Sequence, residues 1–301
     1  KLLKKNKISL IPPILQNDTF ITDTEQKCNV YNEYFKDQCT TIVTDSTLPP
    51  NVIKITESVI NMVNFSENNI LGHIRGLNVN KAHGVDEIST RMLKICDKSI
   101  TRPLYIIFKN CLSVGYFPKA WKMANVIPLH KKNCKNNVSN YRPVSLLPIC
   151  GKIFEKIIFD KLYTHIYSNN LISDKQSGYK KSDSTIKQLL AITHEIYKAF
   201  DKSPTREVRA AFLDISRAFD HVWHDGLLFK LKQNGIEGEM LSILSSFLAE
   251  RKQRVIIDGK FSSWADIEAG VPQGSILGPI LFLERGGHNC QMPDDAGRCR
   301  T

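Results

Sequence analysis

Asp214 closes an apolar run, Val208 to Leu213, and Asp220 follows six positions later in the segment LDISRAFDHV. An ionised carboxylate at the end of an apolar strand is costly unless solvent, a partner or a metal meets it. Beside a backbone carbonyl, such a carboxylate suits a hard divalent cation such as Mg²⁺, which takes oxygen ligands and keeps water or substrate phosphate in its shell. The residues alone equally allow Asp214 to cap a turn and Asp220 to cap the helix after it.

Other side chains offer less. His221, His224 and Asp225 lie close together, and imidazoles three apart can share zinc, but most such pairs are surface or interface histidines. His288, Cys290 and Cys299 lack a fourth ligand at finger-like spacing. Ser275 sits in GVPQGSILGP, where Gln273 breaks the G-x-S-x-G elbow of hydrolases. That segment instead has the makings of a ligand loop. Gly270, Gly274 and Gly278 let backbone approach closely, Pro272 stiffens the turn, and Gln273 offers both a donor and an acceptor. No GxGxxG or Walker A sequence is present, so dinucleotide and P-loop chemistry are not expected.

The positioning elements can be read from periodicity. Residues 1–65 mix Asn, Thr, Pro and short apolar pieces such as IPPIL and YNEYF, and read as a lead-in with docking elements. Ile88, Met92, Ile95 and Cys96 fall on one helical face. Pro103 is expected to open a second core-facing helix carrying Leu104, Ile107, Phe108, Cys111 and Leu112. Val126 to Leu129 and Val144 to Leu147 read as short buried strands around the basic loop Lys131 to Asn140. Ile153, Phe154, Ile157, Ile158 and Leu162 form an amphipathic helix, and Ser184 or Thr185 caps a longer one. Val208 to Leu213 reads as a strand, and Leu227 to Leu231 and Leu241 to Leu248 as helices. Asp258-Gly259 between apolar runs signals a hairpin. Helices and strands interleave without regular alternation, so the expected class is α+β.

The 301 residues carry 41 Lys and Arg against 30 Asp and Glu, a net charge of +11. Between Lys119 and Lys181 twelve cations face three acids, a net of +9 in one fifth of the chain. Such a stretch suits phosphate contacts, although a solvated lysine-rich surface is the commoner reason for one. No apolar run reaches the roughly 18 residues that a bilayer span requires, and no membrane partner is expected. Eight cysteines without a CxxC fit free thiols in a reducing compartment. The chain starts at Lys1 without a signal-like segment, which suggests a piece of something longer.

In order along the chain, WKMANVIPLHKK (121–132), NYRPVSLLP (140–148), GKIFEKII (151–158), QSGY (176–179), AFLDISRAFDHV (211–222) and GVPQGSILGPILFL (270–283) resemble the reverse transcriptases of non-LTR retrotransposons, close to the jockey-like mobile elements. The resemblance runs from about Lys81 to Leu283, and it implies a right-hand polymerase. Residues 66–200 would be N-terminal helices and fingers, and 201–283 a partial palm. The lead-in would join an upstream endonuclease.

The same resemblance makes Asp214 the catalytic Mg²⁺ ligand, with the Ile215 carbonyl as a second oxygen and Mn²⁺ as an alternative ion. Phe219 matches the bulky position that excludes a ribose 2′-hydroxyl. Arg142 and one of Lys131 or Lys132 match residues that hold the incoming deoxynucleoside triphosphate. Gln273 and Gly274 match the loop beside template and nucleotide. Asp220 would be structural, and His221 and His224 have no family role. The implied partners are an RNA template and a DNA primer, in the nucleus or cytoplasm.

The implied reaction is attack of a primer 3′-hydroxyl on the α-phosphate, with two metal ions bridging nucleophile and leaving pyrophosphate. That site needs an aromatic-Ala-Asp-Asp hairpin, and residues 284–301 do not provide one. They contain no Leu, Ile or Val, and Asp294-Asp295 follows Met-Pro too soon after the Gln273 loop. The expectation is therefore a fragment that ends before the second catalytic strand pair and thumb, with an aberrant tail, and that binds nucleic acid but makes little or no DNA. The alternative is a non-catalytic nucleic-acid-binding protein derived from such an element.

Overall fold

The computed structural model describes residues 11–16, 18–40, 48–202, 207–215 and 217–286. Its helices are α1 (Thr24–Gln38), α2 (Glu67–Arg75), α3 (Thr90–Ile95), α4 (Asp97–Ser113), α5 (Lys119–Lys122), α6 (Ile149–Ser168), α7 (Thr185–Phe200), α8 (His224–Gln233), α9 (Gly238–Leu248) and α10 (Gly278–Gly286). The strands are β1 (Ile14–Gln16), β2 (Thr19–Ile21), β3 (Met123–His130), β4 (Tyr141–Leu146), β5 (Arg251–Ile257), β6 (Lys260–Phe261) and β7 (Ala265–Ile267). The class is mixed α+β.

The main sheet runs β4-β3-β5-β6, with β7 also on β5. β3 and β4 are antiparallel, and Pro128 faces Pro143 across them. Prolines cannot donate to a ladder, so this pair occupies a position where neither strand needs an N–H from the other. β3 pairs with β5 in parallel, but only from Met123 to Val126, so Pro128 lies beyond that ladder as well. Asp258 and Gly259 both have positive φ, 49° and 80°, which suits the two-residue hairpin expected between β5 and β6.

Two cores form. In one, α1 places Cys28, Tyr31 and Phe35 against Val126, Tyr141, Val255 and Ile257 of the sheet. The other is helical, with Ile70 and Ile74 of α2, Phe108 of α4, Phe154 and Ile158 of α6, Leu231 of α8, Phe247 of α9 and Leu281 of α10 all buried. Phe108 stacks on Phe154 with ring centroids 4.8 Å apart. Ile153 through Leu162 bury the face that their spacing predicts.

Several expectations fail for identifiable reasons. Pro103 lies inside α4, which begins at Asp97 without a side-chain cap bond. The missing N–H costs one helical bond, and the burial of Leu104, Phe108 and Leu112 offsets it. In the six-residue α3, Leu93 is buried while Met92, Ile95 and Cys96 are exposed. A helix this short is oriented by the elements around it rather than by its own apolar spacing.

Ser184 does cap α7, its side chain accepting from the Lys187 N–H, yet α7 buries no residue. Most consequentially, 207–215 is irregular rather than a strand, with Phe212 87% and Leu213 85% exposed. A strand needs a neighbour to satisfy its N–H and C=O groups. None of the described strands lies alongside this segment. The tail residues His288, Cys290, Asp294, Asp295 and Cys299 lie outside the described residues.

Candidate functional site

The best-built polar site joins three segments that are far apart in sequence. Val271 N–H donates to the Phe219 carbonyl and Gly270 N–H to the Val222 carbonyl, both at 2.9 Å, so the glycine loop runs beside the 219–222 turn. From the other side, Ser145 N–H of β4 donates to the Gln273 carbonyl at 2.8 Å. The fit leaves no room for side chains at two glycines. A Cβ on Gly270 (φ +83°) would lie 2.7 Å from the Asp220 carbonyl oxygen, and one on Gly274 (φ +129°) 2.5 Å from that of Ser145.

Asp220 is buried between these segments, and both its carboxylate oxygens accept from Gln273 Nε2, at 2.9 and 3.0 Å. Burial pushes its carboxyl above the ordinary range, and the Gln273 bond pulls back. Burial, and then the Asp220 charge, push the Cys39 thiol beside it up to about 12. A small cavity of about 40 Å³ lies here, lined among others by Cys39, Ser145, Asp220, Arg251 and Gln273.

The loop is braced from behind. Ser275 Oγ donates to the Pro272 carbonyl at 2.9 Å and accepts from Gly278 N–H at 3.0 Å, so this hydroxyl holds the start of α10 and is no free nucleophile. Glu155 of α6 is buried, and its carboxylate accepts from Ile276 N–H at 2.7 Å and Leu277 N–H at 3.1 Å. His224 Nε2–H donates to the Gly270 carbonyl at 2.8 Å and His221 Nδ1–H to the Thr40 carbonyl at 3.1 Å. The two imidazoles thus tie down separate backbone segments.

Phe219 stacks on Phe282 at 4.8 Å and meets the Tyr179 ring edge-on at 5.9 Å, which joins the QSGY turn to the same region. Arg142 is exposed on β4 opposite Leu129. Lys131 and Lys132 begin the loop between β3 and β4 and are exposed, with Lys131 N–H bonded to the Asn140 carbonyl at 2.8 Å. These three cations therefore share one end of the β3–β4 pair. Lys122 leaves the basic surface altogether. It is buried, its ammonium 3.4 Å from Ser246 Oγ, and burial lowers its pKa.

The structure gathers Phe219, Gln273 and Gly274, whereas Asp214 and Ile215 lie on the irregular, exposed 207–215 segment. Among the described residues, no group of three His, Cys, Asp or Glu side chains is placed to hold a metal ion. A lone exposed carboxylate does not fit a two-metal set. Sequence reasoning missed Glu155 and the partnership of Asp220 with Gln273. Glu155 left a signal, an acid within the otherwise apolar face Gly151, Phe154, Ile158 and Leu162.

Residues 129–284 match the family model described as reverse transcriptase (RNA-dependent DNA polymerase). The chain belongs to that family, and its likeness is to the jockey branch of non-LTR elements. It is 40% identical over 210 residues to the RNA-directed DNA polymerase from mobile element jockey of Drosophila melanogaster, covering 69% of this chain and 23% of that protein. Against the Drosophila funebris counterpart it is 38% identical over 203 residues, 67% of this chain and 22% of the relative. A type-1 retrotransposable element R1 polyprotein of Bradysia coprophila shares 26% over 212 residues, 69% and 20% of the two chains. The chain thus spans less than a quarter of the length of these relatives. The family implies a divalent metal, deoxynucleoside triphosphates and a nucleic-acid template and primer. No described helix is long and apolar enough to cross a membrane.

Proposed function

We propose that this chain is the fingers and part of the palm of an RNA-directed DNA polymerase from a jockey-like element. It takes an RNA template, a DNA primer and deoxynucleoside triphosphates, and serves template-directed nucleotidyl transfer inside the cell. The observation that carries this reading is the joining of β4, the 219–222 turn and the Gln273 loop at one place by the Ser145–Gln273 and Val271–Phe219 backbone bonds. Three of the blocks that resemble the family thereby meet on one surface.

In this reading Arg142 and Lys131 or Lys132 hold the triphosphate, a guanidinium fork and a point charge being suited to phosphate oxygens. Phe219 supplies the wall against a ribose 2′-hydroxyl, and Gln273 with Gly274 faces the nucleotide and template. Asp214, with the Ile215 carbonyl, is the first ligand of Mg²⁺ or Mn²⁺. Further carboxylates are needed beside Asp214 for a metal pair, so the 301 residues alone bind nucleic acid and make little or no DNA.

The lone, exposed Asp214 also favours a second reading, a non-catalytic nucleic-acid-binding protein of the same descent. Primer extension on oligonucleotide-primed RNA with Mg²⁺, alongside hybrid binding, tests both. Binding without extension is the expected result, and robust extension would overturn the expectation of inactivity. Salt-sensitive binding that survives Asp214→Asn fits either reading. Failure to bind hybrid at low salt sinks both.

A further inference from the structure

The Asp220–Gln273 contact decides something that neither residue decides alone. A carboxamide has one donating and one accepting end, and exchanging them leaves the shape almost unchanged. An ionised carboxylate only accepts. Both oxygens of the buried Asp220 sit 2.9 and 3.0 Å from the Gln273 amide, so with Asp220 ionised the end turned inward is the NH₂ group. The Oε1 end is left for the ligand, and no described residue donates a hydrogen bond to it. The backbone on both sides is already held, by Ser145 N–H on the Gln273 carbonyl and Val271 N–H on the Phe219 carbonyl, so the side chain has little freedom beyond this exchange.

We propose that Asp220 is a positioning residue that makes Gln273 an obligate acceptor toward the ligand, so that the loop reads donors of the nucleoside, a sugar hydroxyl or a base N–H, and not phosphate. Phosphate oxygens accept and cannot pair with Oε1. They are left to the cations at the end of β3–β4, where Lys131, Lys132 and Arg142 are exposed. The inference rests on the reading that the Gln273 loop faces the nucleotide, and it adds that Asp220 sets the direction of the Gln273 amide.

The test uses the 301-residue chain bound to an RNA–DNA primer–template, with affinity measured separately for the templated deoxynucleoside triphosphate and for inorganic tripolyphosphate. Asp220→Asn lets the Gln273 amide settle either way round. It should weaken the nucleotide about five- to tenfold, the scale of one net hydrogen bond, and leave tripolyphosphate unchanged. The double variant Asp220→Asn with Gln273→Glu reverses the pair. The amide introduced at position 220 can donate inward, while the carboxylate introduced at position 273 again shows an oxygen outward. This variant should regain most of the lost nucleotide affinity.

Equal losses for nucleotide and tripolyphosphate would make Asp220 merely structural and overturn the proposal, as would Asp220→Asn binding nucleotide like the wild type. If the wild-type chain binds tripolyphosphate but shows no preference for the templated nucleotide, the underlying reading falls and the inference with it. Side-chain ¹⁵N resonances of Gln273 provide a readout independent of binding. Its NH₂ protons should be protected from exchange in the wild type and lose protection in Asp220→Asn. Unprotected protons in the wild type would overturn the proposal even if the nucleotide binds.

Discussion

Oε2 of Glu155 accepts the backbone N–H of Ile276 at 2.7 Å across 121 residues of sequence, and so fixes the end of the Gln273 loop to the second turn of α6. The same oxygen takes Leu277 N–H at 3.1 Å, so a carboxylate lies at the start of α10, where unpaired N–H groups and the helix dipole favour a negative charge. Burial pushes the Glu155 carboxyl up, and these N–H groups together with Arg251 draw it back.

Glu155→Leu removes that acceptor, leaving the N–H groups of the half-buried Ile276 and the buried Leu277 unpaired and taking from the buried Arg251 guanidinium the opposite charge that supports it. A loss of about 3 kcal/mol is expected, the scale for breaking a buried charged interaction from one side. Glu155→Gln keeps an oxygen acceptor and should lose clearly less. Urea unfolding of both variants checks this, and a Leu variant as stable as the Gln variant would show that the bonds hold nothing.

The loop glycines should tolerate replacement unequally. Gly270→Ala and Gly274→Ala drive a Cβ to 2.7 Å from the Asp220 carbonyl oxygen and 2.5 Å from the Ser145 carbonyl oxygen, at φ of +83° and +129°. Gly259→Ala, at φ +80°, meets nothing within 4 Å and bears only the backbone strain, about 1 kcal/mol. Thermal unfolding should rank both loop variants well below Gly259→Ala, and equal midpoints would contradict the tight approach of loop and strand.

Stability should carry a pH dependence from Glu284. Burial pushes its carboxyl from the ordinary 4.5 up to about 7, with Asn234 Nδ2 donating to Oε2 and no partner for Oε1 among the described residues. The folded state therefore holds this proton more tightly than the unfolded one. Its contribution is complete below about pH 4.5 and is lost as pH rises through about 7, a change of about 3 kcal/mol. Asp220 and Glu155 act in the same direction, whereas His73 and His224, lowered by desolvation, act in the opposite one. Comparison with Glu284→Gln isolates the one group. The two proteins should differ little at pH 4.5, and the variant should be the more stable at pH 8. Parallel profiles would place the titration elsewhere.

On the proposed reading, Lys131→Ala, Lys132→Ala and Arg142→Ala should each flatten the dependence of log affinity for RNA–DNA hybrid on log salt by about 0.7 to 0.9 where the residue contacts a phosphate. Lys54→Ala removes an ammonium that already pairs with Glu237 at 2.7 Å, and should leave the slope unchanged. Identical slopes for all four variants would remove these cations from the nucleic-acid surface.

Wherever local physics sufficed, the sequence was legible. The period of Ile153 to Leu162 buried the expected face of α6, Asp258-Gly259 made its hairpin turn, and Ser184 capped α7. The family, too, was legible in the ordered motifs. Pro103 misled because a proline marks a helix start only when burial of the surrounding face does not outweigh one missing bond. Met92 and Ile95 misled because a six-residue helix is turned by its neighbours.

Val208 to Leu213 shows the deeper division. Its mostly apolar residues, placed just before Asp214, read as a buried strand, but a strand exists only where another chain segment accepts its hydrogen bonds, and none of the described strands does so. The same holds at the candidate site. Sequence alone supplied the amide of Gln273 and the carboxylate of Asp220 as residue types. Which end of that amide faces outward depends on a contact between positions 53 apart, and on the burial of Asp220 against that amide. Residue chemistry and local periodicity are properties of the chain, whereas hydrogen-bond direction and strand pairing belong to what the chain is folded against.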